Sequence, residues 1–306
     1  MTLRNVLVGA LAVASLTACG TSTPAADNGK IQVVASTNVW GSVVKAVGGD
    51  DVEVKALLDD PSADPHSYES KPADAALVKD AKLVVFNGGG YDDFFAKLIT
   101  NDATKKVEAF PLREHDHAGE PSTSAAPDAD GHDHSVNEHV WYDLHTVQAV
   151  AQAAATELAA IAPDKKAAFE KNSADFAAKL EELEKKVDGI GAGKKVASTE
   201  PIAHYLLDET GAEDVTPEEF SKAIEEESDV PAAALASMNQ LVEGKQVNVL
   251  VNNTQTENQV TKGLVDKAKS AGVPVVAVTE TLPEGVTGYL DWMSKQVDAL
   301  SQALKA

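Results

Sequence analysis

Residues 163–193 read PDKKAAFEKNSADFAAKLEELEKKVDGIGAG. Pro163 suits the first turn of a helix, where its missing N–H is no loss. Apolar residues then recur at the three- and four-residue spacing of one buried helix face, namely Phe169, Phe176, Leu180, Leu183 and Val187. Glycines at 189, 191 and 193 end the pattern. One long helix is therefore predicted over 163–187.

Short β-branched runs alternate with helical runs on both sides of this helix. Before it, strands are predicted at 31–36, 52–57, 82–87 and 106–110, and helices at 39–47, 72–79, 91–99 and 144–161. After it, strands are predicted at 195–199, 247–251 and 273–279, and helices at 202–210, 231–242, 257–271 and 287–304. The alternation is typical of parallel sheets covered by helices. The predicted fold is α/β, with parallel-sheet lobes at 30–161 and 194–306 joined by one long helix within 162–190.

The composition excludes several classes of protein. The chain has 306 residues and a formal net charge of −22, which argues against nucleic acid and suits a soluble protein that attracts cations. Its only cysteine, Cys19, cannot form an internal disulfide or a paired-cysteine zinc site. Any metal site must therefore use nitrogen and oxygen ligands.

The N-terminal segment accounts for that cysteine. Arg4 precedes an apolar stretch at 6–16 that is too short to span a bilayer permanently, and residues 16–19 read LTAC. This segment resembles a bacterial lipoprotein signal, which implies cleavage after residue 18 and a lipid on Cys19. Residues 19–29 then form a flexible tether, and the mature protein is anchored at the outer face of the cytoplasmic membrane. A plain secretory signal or a buried first helix is the alternative interpretation.

Histidines concentrate in one part of the chain: six of the eight lie between 115 and 145. Neutral imidazole is a common ligand of transition metals, so metal binding is the first functional hypothesis. Four of them lie in a polar, low-complexity insert at 113–137 that we expect to be disordered without metal: His115, His117, His132 and His134. The insert is interpreted as an accessory arm for metal capture, and a solvated acidic loop is the competing interpretation.

Other candidate ligands follow predicted strand ends. His66 lies in a proline-containing loop after the strand that ends at 57, Glu200 directly follows residues 196–199, and Glu280 directly follows residues 275–279. His139 lies on the return from the insert, just before a helix. Open parallel sheets bind ligands beyond the carboxyl ends of their strands, so these residues could meet in one cleft between the lobes.

At these positions the sequence resembles the zinc/manganese ABC-transporter substrate-binding proteins. Residues 64–69, DPHSYE, are similar to the first metal-ligand motif of that family, and residues 138–141, EHVW, are similar to the second, in which Asp-Pro usually precedes the histidine. Residues 198–205, STEPIAHY, place Glu200 at the third ligand position, and residues 279–283, TETLP, place Glu280 at the fourth. The resemblance covers 31–304 and implies the metal ligands His66, His139, Glu200 and Glu280.

Alternatives remain open at several of these residues. Glu200 could instead be a carboxylate favoured by a helix N-terminus, with His204 as the third ligand, and Glu280 could be a surface acid before Pro283. Asn252 and Asn253 follow a strand end, where they could orient the ligands or cap the next helix. Trp141 is the best candidate for a wall beside the metal.

The resemblance implies a binding protein with no catalytic activity. It would capture a divalent transition metal, with Zn²⁺ favoured over Mn²⁺ because of the histidine-rich insert, and deliver it as a monomer to an ABC permease and its ATPase. A zinc-dependent hydrolase is the alternative from another class, but the sequence lacks His-Glu-x-x-His and any nucleophile motif. A metal-binding surface adhesin is a second alternative.

Overall fold

The computed structural model describes residues 29–61, 63, 67–113 and 137–306. The first sheet has the strand order β2-β1-β3-β4 and consists of β1 Ile31–Thr37, β2 Val52–Leu58, β3 Leu83–Phe86 and β4 Lys105–Glu108. The second has the order β6-β5-β7-β8 and consists of β5 Lys195–Ser198, β6 Glu213–Asp214, β7 Val249–Asn253 and β8 Val275–Val278. All pairings between these strands are parallel. The two lobes therefore repeat one topology without an evident sequence repeat.

Ten α-helices are found in the described residues. They are α1 Asn38–Gly48, α2 Pro72–Asp80, α3 Asp93–Ala96, α4 Leu144–Ile161, α5 Lys166–Val187, α6 His204–Thr210, α7 Glu218–Glu225, α8 Ala232–Glu243, α9 Gln259–Ala271 and α10 Tyr289–Lys305. None of these described helices combines the length and the apolar character needed to cross a bilayer. Central strands such as β3 are buried throughout, as expected for sheets that helices cover.

The long helix between the lobes is confirmed. Helix α5 contains 22 residues and follows a 3-10 turn at Pro163–Lys165. The apolar face predicted from the sequence is buried, with Phe169, Leu180 and Val187 fully enclosed. Helix α10 returns from the second lobe to pack on it, and the rings of Phe176 and Tyr289 lie 6.1 Å apart. The backbone N–H of Tyr289 also donates to Ser42 Oγ on α1 at 3.1 Å. Helix α10 therefore contacts the first lobe as well as α5.

Two parts of the sequence-based assignment are wrong. The helix predicted at 91–99 extends only over Asp93–Ala96, because a glycine turn precedes it and 3-10-type hydrogen bonds follow it. Strand β6 and helix α7 were not predicted, because β6 has only two residues and α7 lies in an acidic segment with few apolar residues.

The glycine turn after β3 positions the residue that follows it. Gly88, Gly89 and Gly90 all have positive φ, a backbone conformation that residues other than glycine rarely adopt. The Asp92 carboxylate closes the turn by accepting the N–H of Asn87 at 2.6 Å and that of Gly88 at 2.7 Å. Burial raises the pKa of Asp92 to about 6, although these hydrogen bonds oppose the shift.

Asp92 should make the stability of the protein depend on pH. Its pKa is higher in the folded protein than in the unfolded chain, so the folded state binds more protons, and the free energy of unfolding should fall as pH rises from about 4 to about 6. The contribution is about 3 kcal/mol for a shift of about two units. Urea unfolding of Asp92→Asn across this range should lack this decline, although an amide donor facing the turn destabilises the variant overall. Identical pH slopes for the variant and the wild type would contradict this assignment.

Candidate metal centre

Two buried carboxylates lie at the carboxyl edge of the second sheet. Glu200 follows β5 and Glu280 follows β8, and their exposed fractions are only 3% and 1%. Strand β7 lies between β5 and β8 in the sheet and ends at Asn253. Because parallel strands bring their carboxyl ends to one edge, these three side chains lie together although they are far apart in the sequence.

The Asn253 amide holds the two carboxylates. Its Nδ2 lies 2.8 Å from Glu200 Oε2 and 3.0 Å from Glu280 Oε1, and its Oδ1 accepts the N–H of Gln255 at 3.0 Å. Thr256 Oγ1 donates to the other Glu200 oxygen, Oε1, at 2.5 Å. These donors offset the repulsion between two acidic groups buried side by side.

The first lobe contributes a tyrosine to this pair. Tyr91 stands directly after the glycine turn and donates its hydroxyl to Glu280 Oε2 at 3.1 Å. Burial, followed by the negative charge of Glu280, raises the pKa of Tyr91 well above its usual 10. The phenol therefore remains protonated at neutral pH and acts as a donor. Tyr91 was predicted to begin a helix, and its contact with Glu280 was not predicted, although its position shortly after a strand end indicated that it lies at this edge.

His139 is fully buried and has a defined orientation. Asn137 Oδ1 lies 2.9 Å from the His139 backbone nitrogen and 2.8 Å from its Nδ1, while Asn137 Nδ2 donates to Pro201 O at 2.8 Å. Since the amide oxygen faces the ring, Nδ1 carries the hydrogen. Nε2 is then the ring nitrogen that can act as an acceptor or a metal ligand, as in histidines that bind metals and donate through their other nitrogen.

Aromatic rings surround this histidine. The ring centroids of Trp141 and Tyr91 lie 5.1 Å and 6.0 Å from that of His139. Two hydrogen bonds connect the segment that follows His139 to the second lobe. Tyr142 donates to Thr279 O and Tyr289 donates to Trp141 O, each at 2.8 Å. His139 therefore sits in a rigid segment bonded to both lobes.

Glu225 also lies beside His139. Its Oε1 lies 3.7 Å from His139 Nε2. Within the described residues, Glu138, His139 and Glu225 form a group whose ligand atoms are all within 4.8 Å of one another. Glu225 was not predicted, because it ends the missed helix α7. The apolar residues Phe220, Ala223 and Ile224, spaced three and four apart, were the signal for that helix.

The other predicted residues differ in their placement. His204 is one-third exposed and lies 3.5 Å from Asp208 on its own helix, so Glu200 is the better placed of the two alternatives. Asn252 donates to Glu257 Oε1 at 2.8 Å, and the next helix is capped by Asn258. The remaining predictions lie outside the described residues, and they concern Cys19, His66, His115, His117, His132 and His134.

This arrangement has the donor chemistry of a divalent-cation site. An oriented imidazole and buried carboxylates suit ions between Mn²⁺ and Zn²⁺ in hardness. The buried negative charge also lowers the free energy of a cation there, because few solvent dipoles compete with it.

Comparison with known proteins agrees with the fold and with this chemistry. A family model described as ZnuA, zinc-uptake complex component A periplasmic, matches residues 33–303. The chain is 25% identical over 321 residues to the zinc-binding lipoprotein AdcA of Streptococcus pneumoniae (strain ATCC BAA-255 / R6). The aligned region covers 97% of this chain and 60% of that protein. The chain therefore spans about three-fifths of the length of that relative.

Two further matches differ in the metal that they name. The iron ABC transporter substrate-binding lipoprotein MtsA of Streptococcus pyogenes serotype M1 is 29% identical over 255 residues, which are 76% of this chain and 80% of that protein. The solved structure of the periplasmic zinc-binding protein TroA from Treponema pallidum has a TM-score of 0.70 at 17% identity, and covers 90% of this chain and 99% of that chain. The structural match shows the shared fold.

Asn253→Ala tests whether Asn253 orients Glu200 and Glu280 for metal binding or only stabilises the fold. Removing the amide frees both carboxylates, so metal affinity should fall by about 10- to 100-fold, as for other residues that orient ligands. Asn252→Ala is the matched control, because Asn252 is similarly buried on the same strand but donates to Glu257, which is not a proposed ligand. Each variant should lose about 1–3 kcal/mol of unfolding free energy. Calorimetric metal titration should show unchanged affinity for Asn252→Ala, and an equal loss for both variants would contradict the role of Asn253.

Proposed function

The chain belongs to the ZnuA family of periplasmic zinc-uptake components, and from this premise we propose that it captures one divalent transition-metal ion outside the cytoplasm and delivers it to an ABC permease. The observation that carries the proposal is the buried pair of carboxylates at Asn253, which Tyr91 of the other lobe contacts. Burying two acidic groups together is costly unless a cation compensates them. A metal ion supplies that charge.

The proposed ligands are His66, His139, Glu200 and Glu280, at the interface between the lobes. Support for His139 comes from its oriented ring, and support for the two glutamates from their burial and shared amide. His66 is proposed from the sequence motif at 64–69 alone. Two imidazoles and two carboxylates close a four-coordinate zinc site, and a second oxygen from a carboxylate would allow the higher coordination that manganese prefers.

We propose zinc as the favoured metal and manganese as the second. At equal ligands zinc binds more tightly than manganese. The histidine-rich insert adds imidazole ligands that suit zinc, and we propose it as an accessory capture arm. A lipid on Cys19 would anchor this monomeric receptor at the outer face of the membrane, where the permease and its ATPase receive the ion.

Closure around the ion should be a small movement. Helix α5 and helix α10 both connect the lobes, and the bonds of Tyr142 and Tyr289 join the His139 segment directly to the second lobe. Such contacts leave the loops of the C-terminal lobe as the parts free to shift.

Metal analysis of ligand variants tests the proposed site. Protein purified without added metal should contain one ion per chain in the wild type and in a deletion of residues 115–134. His66→Ala and Glu200→Ala should each lose tight binding, by more than about 100-fold, since orienting residues alone account for 10- to 100-fold. Loss of the tight site in the deletion, together with its retention in His66→Ala, would move the site into the insert.

Affinity should also fall in acid. Only the neutral form of a histidine binds metal, so protons compete with the ion for His66 and His139 as the pH falls from 7.5 to 5. Two histidine ligands should therefore make zinc binding weaker at pH 5 than at pH 7.5. Competition titrations with a chelator of known pH dependence would measure this change, and equal affinity at both pH values would contradict a site that contains two histidines.

A further inference from the structure

The side chain of Gln255 joins the backbone of Glu280 to the backbone of the first lobe. Its Oε1 accepts the N–H of Glu280 at 3.1 Å, and it accepts the N–H and the hydroxyl of Thr281, each at 3.2 Å. Its Nε2 donates to Ala63 O at 2.6 Å, across 192 residues of sequence. One amide group therefore contacts the backbone of a proposed metal ligand and the backbone of the opposite lobe.

The second sheet holds the backbone of Gln255. Its N–H donates to Asn253 Oδ1 at 3.0 Å. The N–H of Thr254 donates to Val278 O, also at 3.0 Å, which continues the pairing of β7 with β8 beyond the end of β7. The Gln255 side chain is partly buried and extends from this bonded segment. Its amide group is therefore placed by the sheet and by its hydrogen bonds together.

The end of this contact in the first lobe is a hydrogen-bonded turn. Strand β2 ends at Leu58, and Ala63 N then donates to Asp60 O at 3.0 Å. Ala63 precedes the proposed ligand His66 by three residues in the sequence. Gln255 therefore bonds the chain segment that leads to one proposed ligand to the backbone of another.

The two contacts of Gln255 require an amide. An amide carries an oxygen that accepts and a nitrogen that donates at the same end of the side chain. A glutamate at this position could accept the N–H of Glu280 but could not donate to Ala63 O, and a methionine could do neither. Asn253 and Tyr91 already orient the Glu280 carboxylate, and Gln255 adds a hold on the backbone from which that carboxylate extends.

We propose that Gln255 is a positioning residue of the metal site, which acts through Glu280. By bonding to Glu280 N and to Ala63 O, it sets the distance between the fourth proposed ligand and the first lobe. An ion that binds residues of both lobes binds more tightly when their separation already suits it, because less free energy is then spent on bringing them together. This inference rests on the proposed function and adds to it a residue that need not touch the ion.

Competition titration of Zn²⁺ against a chelator tests this role in Gln255→Met, which keeps the length of the side chain and removes both contacts. The dissociation constant should rise by about 10- to 100-fold, as it does when other residues that orient ligands are lost. Asn38→Ala is the matched control, because Asn38 on α1 also contacts the second lobe, where its Oδ1 accepts the N–H of Leu282 at 2.9 Å. Leu282 is not a proposed ligand, so this variant should bind zinc nearly as the wild type does. Thermal unfolding without metal checks that both variants are folded.

A double-mutant cycle distinguishes positioning of Glu280 from a general effect on the fold. Glu280→Gln alone should weaken zinc binding by more than about 100-fold, since it removes a ligand. If Gln255 acts through Glu280, adding Gln255→Met to this variant should weaken binding little further. A further loss of the full 10- to 100-fold would overturn the positioning role, because Gln255 would then act by another route.

Two other outcomes would also overturn it. Equal losses of zinc affinity in Gln255→Met and Asn38→Ala would mean that any contact between the lobes has this effect. Unchanged affinity in Gln255→Met, together with the loss in Glu280→Gln, would remove the role of Gln255 and leave the proposed function standing. Tight zinc binding by Glu280→Gln would instead refute the proposed ligand set, and the positioning role with it.

Discussion

Two buried carboxylates share one amide donor at the centre of the site. Glu200 and Glu280 are almost inaccessible to solvent, and Asn253 donates to both. An arrangement of this kind lowers the stability of a protein unless hydrogen bonds and a counter-charge compensate it. The hydrogen bonds come from Asn253, Thr256 and Tyr91, and in our proposal the counter-charge is the metal ion.

The topology of the lobes explains why these groups meet. Both sheets have the same strand order. Their carboxyl ends meet where Tyr91, which follows β3, donates to Glu280, which follows β8. In the second lobe this places Asn253 between two strands that each end in a glutamate. In the first lobe, Asn87 at the end of β3 donates to Glu138 O at 2.8 Å and so holds the residue before His139. The carboxylates and the amides that hold the site therefore come from strand ends, while helices α5 and α10 connect the two lobes.

Much of this arrangement could be predicted from local sequence patterns. Strand and helix periodicity indicated two α/β lobes and the long helix, and the position of Glu200 and Glu280 after strands indicated that they lie at one edge. The role of Asn253 remained one of two alternatives, because capping and orienting residues look alike in a sequence. Glu225 was missed because its proximity to His139 depends on how α7 packs, which the sequence spacing does not encode. The helix predicted to begin at Tyr91 begins only at Asp93, because the turn that starts with three left-handed glycines continues through Tyr91 and Asp92.

In our proposal a single metal ion lies between the lobes and binds residues from both. A crystal structure of the zinc-loaded protein, with anomalous diffraction measured at the zinc absorption edge, tests it most directly. We expect one strong peak about 2.0–2.2 Å from His139 Nε2 and from oxygens of Glu200 and Glu280. A peak bound only by residues of the 113–137 insert, with Glu200 and Glu280 still held by Asn253 and bound to no metal, would contradict it.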